Sequence, residues 1–302
     1  MILCFDIGGS AMKGAVAASP TEIRPMPRVT TPARDFASFV AVFRDAILQL
    51  PGKPQCLAIS ITGVVDEDSG KLICANIPCV HQRDLKHDLE DALGLPVFIA
   101  NDADCFALAE AGVGAGQGHR IVFGAILGSG VGGGLVVDGR LINEHGGFAG
   151  EWGHGTAAAF FAGTPPVHIP HFACECGQSG CVNTIGAARG MERLHQHLHC
   201  IQATSETIIQ RWQAGDNTAA RTLDVFVDLV SAPLALTINI TGATIVPVGG
   251  GLANSKALLT VLDEAVRSRT LRRFPRPLVV PAACTVEPGL IGAALLGAAC
   301  LG

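Results

Sequence analysis

MILCFDIGGSAMKGAVA (Met1–Ala17) reads as a strand, a glycine turn and a second strand: apolar runs at Ile2–Phe5 and Ala15–Ala17 flank Asp6-Ile7-Gly8-Gly9-Ser10. IVFGAILGSGVGGGLVVDGRL (Ile121–Leu141) opens the second part of the chain the same way, with Ile121–Leu127 and Gly134–Val137 around a glycine-dense turn. The two stretches match in pattern and not in residue identity, which points to duplicated halves. Further β-type runs stand at Cys56–Ile61, Val97–Ala100 and Ile245–Val248. Helical spacing marks Phe36–Leu50, Asp102–Ala115, Ala187–Leu198, Ser205–Ala214, Ala219–Ile240, Leu252–Arg269 and the apolar tail Gly289–Leu301. Strands alternating with helices make this an α/β chain. At about 150 residues per domain, its 302 residues suit two domains, with Gly112–Gly118 as the boundary.

Composition narrows the function classes. Lys+Arg 21 against Asp+Glu 26 leaves a net charge of −5 and no basic run, so nucleic acid is a poor partner. The chain is 49% hydrophobic and 16% charged, yet has no unbroken apolar run of about eighteen residues, which argues against a membrane partner. The start lacks the basic region of a secretory signal, so the expected location is cytoplasmic. The 11 cysteines are therefore expected as reduced thiols with a metal-binding subset. Tyrosine is absent, which leaves proton chemistry to Asp, Glu, His and Cys.

Four motifs carry chemistry. Asp6-Ile7-Gly8-Gly9-Ser10 follows a strand, where a tight turn brings backbone N–H groups to an anion and the carboxylate orients a hydrated Mg²⁺; Lys13 lies just beyond. Alone, the motif also reads as a polar hairpin turn. Gly128-Ser129-Gly130-Val131-Gly132-Gly133-Gly134 contains G-x-G-x-x-G, but a strand follows where a dinucleotide fingerprint needs a helix. It reads instead as a hairpin tip bare enough to wrap a phosphate, or as a structural glycine hairpin. Asn101-Asp102 joins a strand to a helix, placing a carboxylate where α/β folds keep ligands; the other reading is a helix N-cap. Cys174, Cys176 and Cys181, with His154, His168 and His171 upstream, read as a structural Cys3His zinc site without an open coordination position, or as packed thiols.

In this order the motifs resemble the ROK family of sugar kinases and related repressors, over nearly the whole chain. DIGGS is similar to its first phosphate motif, ITGVVDEDSGKL with Ala75–Pro78 to its sugar-side region, and NDAD (Asn101–Asp104) to its catalytic motif. LGSGVGGG resembles the second phosphate hairpin, GEWGH (Gly150–His154) the sugar-binding motif, CECGQSGC the zinc motif and VGGG (Val248–Gly251) the adenosine-side turn. The resemblance implies a two-domain actin-like ATPase (ribonuclease H-like) fold with a ligand cleft between the domains. Residues 1–116 plus 288–302 would form the smaller domain, and 117–287 the larger, metal-bearing one. It implies ATP with Mg²⁺ held by Asp6, Gly8, Gly9, Ser10, Lys13, by Gly128, Ser129, Gly130, Val131, Gly132, and by Gly249, Gly250, Gly251. A hexose would meet Gly63, Asn76, Asn101, Asp102, Glu151, His154 and Asn183, with Asp102 as general base toward the sugar 6-hydroxyl. Zn²⁺ would take His154, Cys174, Cys176 and Cys181; a homodimer is common in the family.

Two departures matter. Many members place the histidine closer to the first cysteine, and the longer loop here contains His168 and His171, so the fourth ligand is His154 or one of these. The family usually continues GCxE, with a glutamate reaching the sugar near C1 and C2, whereas Gly180-Cys181-Val182-Asn183 supplies an amide. A changed pocket favours mannose, with its axial 2-hydroxyl; glucose, N-acetylglucosamine and N-acetylmannosamine are the alternatives. A repressor would need a helix-turn-helix ahead of the first strand, and a non-catalytic sugar sensor would need loss of Asp102 or the glycine loops; neither pattern is met. His195, His197 and His199 are expected on a solvated helix surface, and the cysteines outside CECGQSGC as small buried hydrophobes.

Overall fold

The computed structural model describes residues 1–19 and 21–301. In chain order it contains β1 (Ile2–Ile7), β2 (Ala11–Ser19), β3 (Glu22–Pro25), β4 (Val29–Thr30), α1 (Phe36–Leu48), β5 (Leu57–Ile61), β6 (Val64–Val65) and β7 (Leu72–Ile73). There follow α2 (Leu85–Leu93), β8 (Val97–Asn101), α3 (Asp102–Val113), β9 (Ile121–Leu127), β10 (Val131–Val137), β11 (Arg140–Leu141), β12 (Phe161–Ala162) and β13 (Val167–His168). The chain closes with α4 (Ala188–His199), α5 (Ser205–Gln213), α6 (Asn217–Thr241), β14 (Val246–Gly249), α7 (Lys256–Arg269), β15 (Val279–Pro281) and α8 (Pro288–Leu301).

Two compact units result. One comprises Met1–Gln117, Gly134–Ala149 and Cys284–Gly302; the other comprises Gly118–Gly133 and Gly150–Ala283. Residues 134–149, inside the span expected for the larger domain, pack with the first unit. Gly134 lies against the backbone of Ala103 and Asp104, where an added Cβ would meet both at 2.8 Å, and Asn143 Nδ2 donates to Asp104 Oδ2 at 3.0 Å.

The duplicated plan is visible in the sheets. The first runs β3-β2-β1-β5-β8 and the second β11-β10-β9-β14-β15. In each, a hairpin is followed by strands parallel to its first member: β5 on β1 and β8 on β5, then β14 on β9 and β15 on β14. Successive side chains of β1 point to opposite faces. Leu3, Phe5 and Ile7 pack with Phe39 and Phe43 of α1, while Ile2 and Cys4 pack with Leu290, Ala293 and Ala294 of α8. A strand covered on both faces is why Met1–Ile7 is nearly continuously apolar, with Asp6 the exception.

Helix ends follow local chemistry. Asp35 caps α1 by accepting from Ala37 and Ser38 N–H groups, and α1 stops at Leu48, short of Pro51. The expected helix Leu252–Arg269 is two elements: a 3₁₀ turn at Gly251–Asn254, then α7, capped by Ser255. Helix α6 is long and apolar enough to cross a membrane by length and composition, but it packs against α4, α5 and α7 as a core helix of the second unit. On α4, the expectation of a solvated histidine surface is corrected: His195 is fully buried, and its Nδ1 lies 2.8 Å from Thr222 Oγ1 on α6. Thr222 already donates to Thr218 O, so His195 Nδ1 is the donor, and burial foremost holds the ring's pKa down. Only His197 of the three is fully exposed. Of the cysteines outside the cluster, Cys4, Cys56, Cys74 and Cys105 are buried, while Cys200 at the α4 terminus is exposed.

Candidate active site and metal cluster

In the first unit, register builds the site. Ile7 pairs with Ile61 and Ile61 with Asn101, so three adjacent parallel strands deliver Asp6, Gly63 and Asn101-Asp102 to one sheet edge, the C-terminal ends where α/β sheets hold ligands. Asp6 Oδ1 accepts from Ser60 Oγ at 2.9 Å, and Gly289 at the start of α8 lies so close that an added Cβ would meet Oδ1 at 2.5 Å. Burial pushes the Asp6 carboxyl above its ordinary pKa; Ser60 and Lys13 pull it back, and Glu287 adds to the rise. Lys13, opposite Asp6 in the β1–β2 hairpin, places Nζ 2.8 Å from Glu287 Oε2 and 3.9 Å from Asp6 Oδ2. The Gly8-Gly9-Ser10 turn is closed by Gly8 N–H to Ala11 O, and Thr31 Oγ1 donates to Gly8 O at 2.7 Å. Gly9 sits on Asn76, with 3.1 Å from an added Cβ to Asn76 Cβ, while Ser10 is exposed at the tip.

Asn101 takes the N-cap role, accepting from Ala103 N–H at 2.8 Å, and its Nδ2 donates to Gly63 O at 2.8 Å. Gly63 has φ +118, and an added Cβ would meet Ile73 O at 2.6 Å, so only glycine fits where Asn101 needs that carbonyl. Asp102 is the exposed first residue of α3, with Oδ1 2.9 Å from Ala103 N. The other acid of the NDAD motif, Asp104, is buried and bonded to Asn143, which leaves Asp102 as the exposed acid of the motif.

β9 and β10 form the glycine hairpin, with Ser129 exposed at its tip. Gly249 pairs with Ile126, and Gly250, at φ +88, lies against the hairpin's base: an added Cβ would meet Leu127 C at 2.5 Å and Gly128 N at 2.6 Å. The structure thus brings Gly128, Ser129, Gly130, Val131 and Gly132 together with Gly249, Gly250 and Gly251. Trp152 ties down the hairpin's far side, its Nε1 donating to Gly132 O at 2.8 Å. Glu151 Oε2 lies 3.8 Å from His154 Nε2; burial raises its carboxyl pKa and His154 lowers it.

The other ring nitrogen of His154 faces the cysteines. His154, Cys174, Cys176 and Cys181 place one ligand atom each within 4.8 Å of one another. Cys174 Sγ to His154 Nδ1 is 3.7 Å and Cys176 Sγ to Cys181 Sγ is 3.6 Å. A tetrahedron with Zn–S of about 2.3 Å has edges of roughly 3.8 Å, so donor types and spacing fit Zn²⁺. Without a cation the thiols share charge poorly: the Gln178 N–H foremost lowers Cys176 to about 7, while burial and its sulfur neighbours push Cys181 up to about 11. His168 and His171 are engaged elsewhere. His171 bonds Ala158 O at 2.8 Å and stacks on Phe160 at 3.7 Å, and His168 packs between Phe160 and Phe161. Asn183 does not hold its amide free: Oδ1 accepts from Val131 N–H at 2.7 Å and Nδ2 points to Cys174 Sγ at 3.9 Å.

Sequence reasoning missed Ser60, Thr31, Asn143, Glu287 and Gly289, which orient the residues it found. None carries a motif, and each acts across a long separation, 274 residues for Lys13 and Glu287.

The ROK family's sequence profile matches residues 2–299. The chain belongs to the ROK family. Among ROK relatives, the N-acetylgalactosamine kinase AgaK of Shewanella sp. (strain ANA-3) is 33% identical over 296 residues, spanning 97% of this chain and 95% of its own. The N-acetyl-D-glucosamine kinase of Pectobacterium atrosepticum is 32% identical over 295 residues, spanning 97% of each. A ROK hexokinase from Thermus thermophilus superposes with a TM-score of 0.82 at 28% identity, covering 98% of this chain and 97% of its own. The match places the chain with the family's ATP-using sugar kinases and confirms the actin-like ATPase fold expected from the motifs. Mannose finds no support: the two kinases compared by sequence are named for N-acetylhexosamines, and the argument from Asn183 needs an amide facing the sugar, whereas it faces the hairpin.

Proposed function

We propose that the chain is an ATP-dependent N-acetylhexosamine kinase acting on the sugar 6-hydroxyl, with N-acetylglucosamine and N-acetylgalactosamine the leading substrates. The observation that carries the sugar assignment is that both cited sequence relatives named for these sugars match over nearly the full chain.

In this reading Asp102 accepts the proton of the sugar 6-hydroxyl as that oxygen bonds the γ-phosphorus of ATP and the bond to ADP breaks. General-base assistance of this kind contributes about 10²–10⁴-fold. The backbone N–H groups of Gly9, Ser10, Ser129 and Gly130 donate to phosphate oxygens, and Gly249–Gly251 keeps side chains away from the nucleotide. Mg²⁺, when bound, would neutralise phosphate charge; Asp6, fixed by Ser60, is the carboxylate that would hold it. Asn76, Asn101, Gly63 O, Glu151 and His154 Nε2 bind sugar hydroxyls. Zn²⁺ on Nδ1 leaves Nε2 of His154 as the nitrogen for the sugar and fixes the ring's direction. The enzyme works in the cytoplasm, where ATP is available, as a homodimer.

The test is ADP release with Mg·ATP across N-acetylglucosamine, N-acetylgalactosamine, N-acetylmannosamine, mannose and glucose. The proposal predicts that an N-acetylhexosamine has a kcat/KM at least about tenfold above mannose and glucose, the worth of one well-made polar contact. A higher value for mannose or glucose would reverse the assignment.

A further inference from the structure

Asn183 stands where the family pattern places a sugar-contacting glutamate, yet every polar atom recorded for it is turned to the protein. It lies in a 3₁₀ turn, Val182–Thr184, directly after the metal-cluster residue Cys181. Its backbone N–H donates to Gly153 O at 2.8 Å, next to His154. Its Oδ1 accepts from Val131 N–H at 2.7 Å, and its Nδ2 reaches Cys174 Sγ at 3.9 Å. One side chain therefore joins the glycine hairpin to the metal cluster.

The fit is close on both sides. An added Cβ on Gly130 would meet Asn183 Oδ1 at 2.8 Å, and one on Gly153 would meet Val131 O at 2.7 Å. Val131 is the first residue after the Gly128–Gly130 tip, so its N–H sets the direction in which the tip's own N–H groups point. An amide offers a donor and an acceptor at once; a carboxylate only accepts and would put negative charge beside three sulfurs. A metal held by the cluster would fix the position of Cys174 Sγ, the atom that Asn183 Nδ2 faces.

We propose that Asn183 is a positioning residue that couples occupancy of the His154–Cys174–Cys176–Cys181 cluster to the shape of the Gly128–Gly132 hairpin, and so to nucleotide affinity. The inference rests on the assignment of that hairpin to nucleotide phosphates. Zinc then has two outputs: His154 toward the sugar and Asn183 toward the nucleotide.

The experiment measures Mg·ADP binding by calorimetry to zinc-loaded and chelator-treated protein, for the native chain, Asn183→Leu and Asn183→Asp, with zinc content and sugar KM alongside. Zinc removal is expected to weaken Mg·ADP binding about five- to tenfold in the native chain, the effect of one misplaced buried hydrogen bond. Zinc-loaded Asn183→Leu should show a similar loss at unchanged sugar KM, with less than about a twofold further loss when zinc is removed. Asn183→Asp keeps the acceptor for Val131 but not the donor to Cys174, so its loaded affinity should fall less than that of the leucine variant. Should the zinc-free protein unfold, the comparison of loaded native chain with loaded Asn183→Leu still decides. Nucleotide affinity indifferent to both zinc and Asn183, with only the sugar KM altered, would overturn the inference and make Asn183 a sugar contact. A zinc-loaded native chain that binds no Mg·ADP would overturn the nucleotide assignment itself, and the inference with it.

Discussion

Asp102→Asn is expected to lower turnover by at least about 10²-fold while leaving the fold and sugar binding in place. The substitution keeps size and retains Oδ1, which accepts from Ala103 N–H at the start of α3. What it removes is a group that takes up a proton at neutral pH, and charge at the N-terminus of α3. That charge is worth about 0.3–1 kcal/mol to the helix, small beside the catalytic loss. Asp104→Asn provides the contrast. Asp104 is buried, with Asn143 donating to it, so its replacement should act on stability first, through the tie between α3 and residues 134–149. Steady-state kinetics with thermal melts for both variants separates the roles; full turnover in Asp102→Asn would remove Asp102 as the base.

Cys181→Ser should empty the metal cluster, lowering bound zinc from about one equivalent to under a tenth and the melting temperature by roughly 5–10 °C. Serine nearly matches cysteine in size, so the change isolates the loss of a thiolate. Cys181 is fully buried beside the turn carrying Asn183, and without its thiolate the three other ligand side chains lose the ion that would tie them together. The sugar KM should rise too, because His154 loses the partner that fixes its ring. Metal analysis with calorimetric melting checks both effects. Unchanged zinc content in the serine variant would show that the ion sits elsewhere.

The parts of the fold legible in the sequence were those encoded locally. A glycine turn between two apolar runs specifies a hairpin, and both hairpins stand where Met1–Ala17 and Ile121–Leu141 placed them. Three thiols in eight residues point to a metal knuckle by proximity, and the structure brings His154 beside them, whereas His168 and His171 are packed around Phe160. What escaped was tertiary. Ser60 meets Asp6 because β5 lies beside β1 in register, and no local pattern announces that pairing. His195 was misread because alternation with polar neighbours looks like a wet surface, whereas Thr222, 27 residues on, supplies an acceptor inside the core. Residues 134–149 follow the first unit because Gly134 admits the backbone of α3, a close approach that no periodicity predicts.

The sugar expectation meets the same limit. A departure from a family motif shows that a contact has changed but not where the new side chain turns. Asn183 was read as facing a sugar; its amide is held by Val131 and Cys174.

The measurement that tests the central claim most directly is phosphorus and carbon NMR of the product formed from N-acetylglucosamine, or N-acetylgalactosamine, with Mg·ATP and the zinc-loaded protein. The account predicts ADP and the sugar 6-phosphate in equal amounts, with phosphorus coupling at C6. ADP formed without a phosphorylated sugar, or phosphate on a ring hydroxyl or the anomeric oxygen, would contradict it.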